Sequence, residues 1–498
     1  MIGSFIAAVL AGLLSASAPI DLPTGQRITP LAAPNSSVVR LSTGLRADGN
    51  ADASGAMSMA LSPDGRTLLV LTSGYNYQYF YTNGREIRFP VRDPRTGKVS
   101  GVTTDLTQWI FVYRVANGSL ARMQRIAIPN AFQGLDWALD GRRFYVSGGI
   151  DDRVAVFGRR GDAYVFEAPE ILLGHDSRSG SPFPAYDGGI LARTLAGKRG
   201  GALGLGFGAM AAGIALSGDG RTLAVANLQN DSLSVADTSS CRVVREVTLH
   251  APGSLTARGE YPYGVAILST KRGTAAKIYV SSLRDGDVSV VVGRRVVKSI
   301  ALGGESNALA LAPDGGMLYV ANGDLDEVDA IETASDRLVA RIGVDRPGQR
   351  YRGANPNGIA IDARAHRLYV TLGGENAIAV VDLVTHSVVG RIPTGWYPTD
   401  VTIAGGLLFV TDAKGIAGPN PAIAGYVAIV GSRVRDPTHR DQYVLDLEKA
   451  DLLTIPVPDK DTLASLSGIV DDNNGFSKRA PDATVGALRG RIKHVIFI

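Results

Sequence analysis

One cysteine, Cys241, in 498 residues excludes a disulfide framework and any cysteine-rich metal site. The six histidines, at 175, 250, 366, 386, 439 and 494, are scattered, and no two have the spacing of a zinc-binding helix. Neither a Gly-x-Ser-x-Gly elbow nor a His-Glu-x-x-His motif occurs. Lys+Arg 51 against Asp+Glu 47 leaves a net charge of only +4, too weak for a dedicated nucleic-acid binder. Charged residues are few, at 20%, but 45% hydrophobics and 60 glycines describe neither a disordered nor a collagen-like chain. No apolar run reaches the ~18 residues of a membrane span.

The longest apolar run, Phe5 to Leu14, is followed by Ala16-Ser17-Ala18 and then Pro19. This small-x-small pattern is that of a signal-peptide cleavage site. No Lys or Arg precedes the run, so either the α-amino group alone serves or the true start lies upstream; a buried N-terminal helix or strand is the competing reading. We expect a leader over 1–18, a mature chain beginning near Pro19, and a secreted or periplasmic location. The lone cysteine suits export, having nothing to mispair with.

What is abundant is repetition. A unit of apolar strand, Asp-Gly or similar turn, and apolar strand ending in small polar residues recurs at 59–74, 137–149, 214–227, 265–282, 309–322, 359–373 and 401–412. Asp-Gly supplies the positive φ that a tight hairpin needs. Two further strands follow most copies, as in 232–249, 287–302, 327–344 and 377–394. The central valines of the second strands are Val70, Val146, Val225, Val280, Val320, Val370 and Val410, and their closest spacing is 40 residues. That period matches a four-stranded propeller blade. A four-stranded unit with two apolar faces cannot bury both alone, and closure into a ring hides them. The fold expected is all-β: a seven-bladed β-propeller of four-stranded antiparallel blades with a short C-terminal extension.

With strands a to d counted outward from the axis, a–b and c–d turns lie on one face of the disc, and b–c and d–a connections on the other. Every large insertion, at 75–107, 174–212, 250–262, 345–356 and 413–424, falls on the second face. Decorated loops on a rigid scaffold are where function concentrates. The same face carries the lead-ins to the inner strands: Tyr261-Pro262-Tyr263-Gly264, Glu305-Ser306-Asn307, Asn355-Pro356-Asn357-Gly358 and Trp396-Tyr397-Pro398-Thr399-Asp400. The candidate ligand-binding residues are therefore Tyr263, Asn307, Asn357, Tyr397 and Asp400, with Tyr79, Arg85 and Arg88 arching over from the first insertion. The opposing reading is that Asn and Pro merely shape the turn into strand a, and that the Tyr/Arg cluster packs its own loop. The glycines of 200–208 lack the Gly-Lys-Ser/Thr ending and the following helix of a phosphate cradle, so they read as a loop. Asp151-Asp152 and Asp471-Asp472 read as solvated turn residues rather than metal ligands. No catalytic residue and no metal ligand is identified.

The second-strand copies FYVSGG, IYVSS, LYVAN, LYVTLG and LFVTD resemble the Tyr-Val-Thr-Asn (YVTN) family of seven-bladed propellers over most of 55–430. LPTGQRITPL (22–31), GWYPTDVTI (395–403) and AKGIAGPNP (413–421) resemble a group of secreted bacterial propellers that precede a phosphoesterase domain of the phospholipase C and acid phosphatase type. GRIKHVIFI (490–498) resembles the first strand of that domain, which in relatives leads into a metal-binding Glu-Asn-Arg motif that this sequence does not reach. Read from the residues themselves, the chain divides into a signal peptide at 1–18, a propeller over 19–458 with DLLTIPVP (451–458) as the outer strand of blade 7, and a link over 459–489 with a short helix from Asp459 to about Leu466. The last segment, 490–498, reads as the first strand of a missing domain.

On this reading the chain is a non-catalytic scaffold or recognition module and a fragment of a metal-dependent phosphoesterase. Its partner is its own missing domain. A small-molecule or protein ligand on the insertion-bearing face is a further possibility. The chain itself holds no cofactor; a divalent metal belongs only to the missing domain. Two alternatives stand beside it: a propeller enzyme of lactonase or quinoprotein type with its site at the central channel, and a stand-alone envelope binding protein.

Overall fold

The computed structural model describes residues 18–44, 52–74, 89–103, 108–116, 118–175, 210–229, 231–249, 260–346, 352–415, 427–429, 432–434, 448–476 and 491–494. These form a seven-bladed β-propeller. The expected leader, but for Ala18, lies outside the described residues.

Blade 1 runs Ala56–Leu61, Thr67–Thr72, Gln108–Ala116 and Ser119–Ile128. In blade 2, Leu135–Trp137, Arg143–Ser147 and Arg153–Arg160 are followed by an outer strand in two pieces, Ala163–Phe166 and Ile171–Leu172. Blade 3 comprises Ala211–Leu216, Thr222–Asn227, Ser232–Asp237 and Arg242–Thr248. Blades 4, 5 and 6 begin at Pro262–Ser269, Ser306–Leu311 and Pro356–Asp362. Each of these three is a four-stranded meander in sequence order. The innermost strands contact one another all the way round, which closes the ring.

Seven apolar clusters fill the seven gaps between adjacent blades. The second-strand motif explains how. Side chains alternate across a strand, so its two central residues serve different gaps. Tyr279 packs toward blade 5 while Val280 packs toward blade 3. Tyr369 and Val370 divide in the same way between blades 7 and 5. The small polar residue that follows turns back to strand a. The hydroxyls of Ser147, Ser281 and Thr371 accept the N–H of Gly134, Gly264 and Gly358 at 2.9, 2.8 and 2.7 Å. Those glycines are required by close approach: a Cβ on Gly134 or Gly264 would sit 2.4 or 2.7 Å from a backbone oxygen of the next blade's innermost strand, that of Ala212 or Asn307.

Blade 7 corrects one expectation. Trp396–Ala404 and Leu407–Gly415 are followed by Asp451–Pro456 as the third strand, not the outer one. The outer strand is Ser37–Arg40, from the beginning of the chain, paired Ser37 to Thr454 through Arg40 to Asp451. Closing the ring with strands from both ends of the chain replaces a covalent hairpin by a hydrogen-bonded one. Four residues with little apolar pattern, Ser-Val-Val-Arg, gave no sign of this.

The expected short helix is longer than read: Lys460–Asn473, here α1, so Asp471 and Asp472 lie in its last turn. The Asp459 carboxylate caps it by accepting the Thr462 N–H at 2.8 Å. Its buried face, Leu463, Leu466 and Val470, lies on the outer strand of blade 6, Ser387–Pro393. Gly390 makes room there, since a Cβ would meet Leu463 Cγ at 2.4 Å. Ser467 Oγ accepts the Arg391 N–H at 2.8 Å. Asn473 and Asn474 tie the helix end to Thr29 and Gln26 at 2.9 and 2.6 Å. Among the described residues no helix is long and apolar enough to cross a membrane.

Candidate functional site

The strand ends place all five insertions in b–c or d–a connections, on one face of the disc. The site on that face is built from the lead-ins to strands a. A left-handed residue marks the entry to the strand in several blades: Met210, Tyr261 and Asn355 stand just before it and Tyr397 is its second residue, with φ of 52, 51, 52 and 62°. The chain thus turns sharply as it enters these four strands.

The residues two positions beyond these kinks, with their counterparts in other blades, form a belt. Asn307 Nδ2 donates to the Pro356 carbonyl at 3.2 Å, and Asn357 Nδ2 to the Pro398 carbonyl at 3.3 Å. Thr399 Oγ1 donates to the Ala56 carbonyl at 2.7 Å, and Ser58 Oγ to the Gln133 carbonyl at 2.7 Å. Gln133 Nε2 reaches the Tyr263 carbonyl at 2.9 Å. Side chains of blades 5, 6, 7 and 1 therefore each hold the backbone of the next blade at the channel mouth, and Gln133 of blade 2 reaches past blade 3 to blade 4.

Of the sequence candidates, Tyr263, Asn307, Asn357, Tyr397 and Asp400 all sit on this ring. Tyr79, Arg85 and Arg88 lie outside the described residues. Asp400 is engaged by backbone: its two carboxylate oxygens accept the N–H groups of Met59 and Val401 at 2.7 and 2.8 Å. Burial nevertheless pushes its carboxyl up to about 7. Asp136 of blade 2 repeats the device, accepting from Leu216 and Trp137 at 2.8 Å each, with its carboxyl raised to about 6 by burial. Tyr263 packs edge-on to Phe132, ring centroids 5.8 Å apart, and burial and then Glu305 hold its phenol well above the ordinary range. Burial raises Tyr397 too, opposed by its bond with Asn357. Glu305 is raised by burial and by Asp324, and no ion pair engages it among the described residues. Lys414 lies over the rings of Trp396 and Tyr397, 5.0 and 5.4 Å from their centroids.

Two features of this face escaped sequence reasoning. Asp152, read as a solvated turn residue, is buried: its oxygens hold the His175 backbone N–H at 2.5 Å and Nδ1 at 2.7 Å. The other ring nitrogen of His175 lies 2.7 Å from Glu246 Oε1 in blade 3. Burial alone would depress this imidazole; the two carboxylates overcome it and raise it to about 9. His175 is thus a buried imidazolium joining blades 2 and 3. Asp151 is taken by Arg153 at 2.8 Å. The second feature is Asp412 facing Asp451 across blade 7, both fully buried, with the Asp412 carboxyl pushed far up by burial and by its neighbour. Such a pair retains a proton at neutral pH. Separation in sequence hides both, since 71 residues part His175 from Glu246.

The sequence comparison agrees with the architecture. No family model matches the chain. A seven-bladed β-propeller protein of Mycobacterium tuberculosis is 30% identical over 115 residues, which is 22% of this chain and 27% of that protein. Among solved structures, hydrazine synthase of Kuenenia stuttgartiensis is 18% identical, covering 73% of this chain and 94% of that one at a TM-score of 0.48. An inactive virginiamycin B lyase variant of Staphylococcus aureus with quinupristin is 10% identical, covering 84% and 99% at 0.48. A periplasmic gluconolactonase of Pseudomonas aeruginosa is 19% identical, covering 69% and 87% at 0.46.

Proposed function

We propose that this chain is a non-catalytic extracytoplasmic recognition module that binds through the insertion-bearing face. The observation that carries the reading is the belt at the channel mouth. Asn307, Asn357 and Thr399 each donate a hydrogen bond to the next blade's backbone, and both oxygens of Asp400 accept backbone N–H groups. Groups committed to holding blades together make a rigid platform rather than reactive chemistry. The strands that bound the five insertions end on that side of the disc.

The finer reading adds a partner. The resemblance of 490–498 to the opening strand of a phosphoesterase domain supports a metal-dependent phosphoesterase as that partner, with the metal held by the partner domain. Described residues Arg491 to His494 are exposed, which suits a segment that continues away from the propeller. The leader-like N-terminus supports export to the periplasm or beyond.

The test has two arms. Purified 19–498 is assayed with p-nitrophenyl phosphate, bis-p-nitrophenyl phosphate and a lactone, with and without chelator; reproducible turnover overturns the non-catalytic reading. The reading frame beyond codon 498 is then sequenced, and a continuation into Glu-Asn-Arg supports the partner. In a protein carrying both parts, shortening 78–100 is expected to change KM, while substitutions in the Asp-Gly turns leave it unchanged. One group favours the enzyme alternative: Glu305, with its raised carboxyl at the mouth. If turnover is found and Glu305→Gln abolishes it, that alternative replaces ours.

A further inference from the structure

The opposite face, trimmed to short turns, holds a cleft of about 480 Å3 between blades 1 and 2. Its size is that of a small-molecule site. Arg66 comes from the first turn of blade 1, Arg114 from the end of that blade's third strand, and Arg159 from the third strand of blade 2. Three separate segments thus bring three guanidinium groups to one cleft. All three residues are exposed. Neither Arg66 nor Arg114 has an ion-pair partner among the described residues.

The two acids in the lining do not balance them. Asp64 is occupied locally, accepting from Ser62 Oγ at 2.6 Å and the Arg66 N–H at 3.0 Å. Asp162 is almost fully exposed and reaches Arg159 only at 3.7 Å. Met123, Val115 and the nearly buried Tyr164 also line it. The cleft is also rigid. Gln124 of blade 1 and Tyr164 of blade 2 exchange two hydrogen bonds of 2.8 Å, side-chain amide to backbone in both directions, across the gap between the blades. The Tyr164 hydroxyl donates to the Gly141 carbonyl at 3.3 Å.

We propose that this cleft binds a small organic dianion, a phosphate monoester or an aromatic dicarboxylate, with its charged end on Arg66, Arg114 and Arg159 and its apolar part against Met123, Val115 and Tyr164. Guanidinium forks match such oxyanions bidentately, and a surplus of cations in a concave site concentrates anions. The inference is independent of the proposed recognition face, which lies on the other side of the disc.

The test is titration of the full chain with phenyl phosphate, phthalate and inorganic phosphate, followed by calorimetry at low salt. Saturable 1:1 binding is expected for the two aromatic dianions, at least about threefold tighter than for inorganic phosphate because part of the ring leaves water. Arg66→Ser with Arg114→Ser should weaken it at least about tenfold, the loss of one or more charge-assisted contacts. Because both side chains are exposed, the variant should keep its melting temperature; should it not, Arg114→Glu alone is the substitute and must abolish binding. Arg221→Ser, in the equivalent turn of blade 3, should change nothing. The proposal is overturned if no saturable binding appears up to about 10 mM, far weaker than an ordinary specific site. It is equally overturned if the arginine variants bind like the parent, or if Arg221→Ser weakens binding as much as they do.

Discussion

Replacing His175 by Ala removes a buried cation that two carboxylates share. Its ring nitrogens lie 2.7 Å from Asp152 and 2.7 Å from Glu246, and its side chain is wholly inaccessible. With the imidazolium gone, two carboxylates from different blades face an empty space with their charges uncompensated. Breaking a buried pair by removing one partner costs about 3–5 kcal/mol. The pH dependence gives an independent handle. The folded imidazole titrates near 9, whereas an unfolded histidine titrates near 6.5. The contribution is therefore complete below about pH 6.5 and is lost as pH rises toward 9, with a span of order 3 kcal/mol from 1.36 kcal/mol per unit. Urea unfolding of parent and His175→Ala at pH 6 and pH 9.5 reads both quantities. The gap in stability should be about 3–5 kcal/mol at pH 6 and should shrink by most of that at pH 9.5. NMR titration of the ring should show a midpoint well above that of a free histidine. A gap that is the same at both pH values, or an imidazole that titrates below 7, would refute the latch.

The remaining expectations concern closure, docking and burial. Gly390→Ala should displace α1 from blade 6, because its Cβ would fall 2.4 Å from Leu463 Cγ; the cost is about 1–3 kcal/mol of overpacking, read by denaturation and by faster amide exchange in 460–473. Deleting residues 18–41 should lower the melting temperature and cause concentration-dependent association, since the edge of Asp451–Pro456 loses its partner strand; a monomer with unchanged melting would contradict the closure. Glu260, buried and raised to about 8 by desolvation and then by Asp287, Asp285 and Asp231, is easier to keep folded when protonated, so stability falls as pH rises from its unfolded value toward 8. Glu260→Gln should accordingly raise the melting temperature more at pH 8.5 than at pH 5, and the reverse order would refute the assignment. Deleting 490–498 should leave melting nearly unchanged and improve solubility, because Arg491 to His494 are exposed; a large drop would mean the segment is packed in the propeller.

The architecture was legible because it is repeated. Each second strand carries an aromatic or aliphatic residue, a valine and a small residue in period-2 alternation, and the closest copies lie 40 residues apart, as Val280 and Val320 do. That pattern alone leads to seven blades and to insertions on one face. The candidate residues were legible as positions on the mouth ring, since turn chemistry marks the lead-ins, but their partners were not. Nothing in Asn357-Gly358 tells that the amide reaches the Pro398 carbonyl, or that the missing Cβ admits the backbone of blade 7.

Local sequence determined the strands, the hairpins, the spacing of the blades and the side of the disc that carries the long connections, because each of these depends on residues within a few positions of one another. Only the tertiary structure decided how the ring closes, where α1 rests and which charges are shared. Ser37–Arg40 meets Asp451–Pro456 from the far end of the chain, and His175 meets Glu246 across a blade boundary. A contact between residues far apart in sequence leaves no periodicity behind, and the strength of a buried charge depends on the solvent it loses and the partner it gains, both of which exist only once the ring is closed.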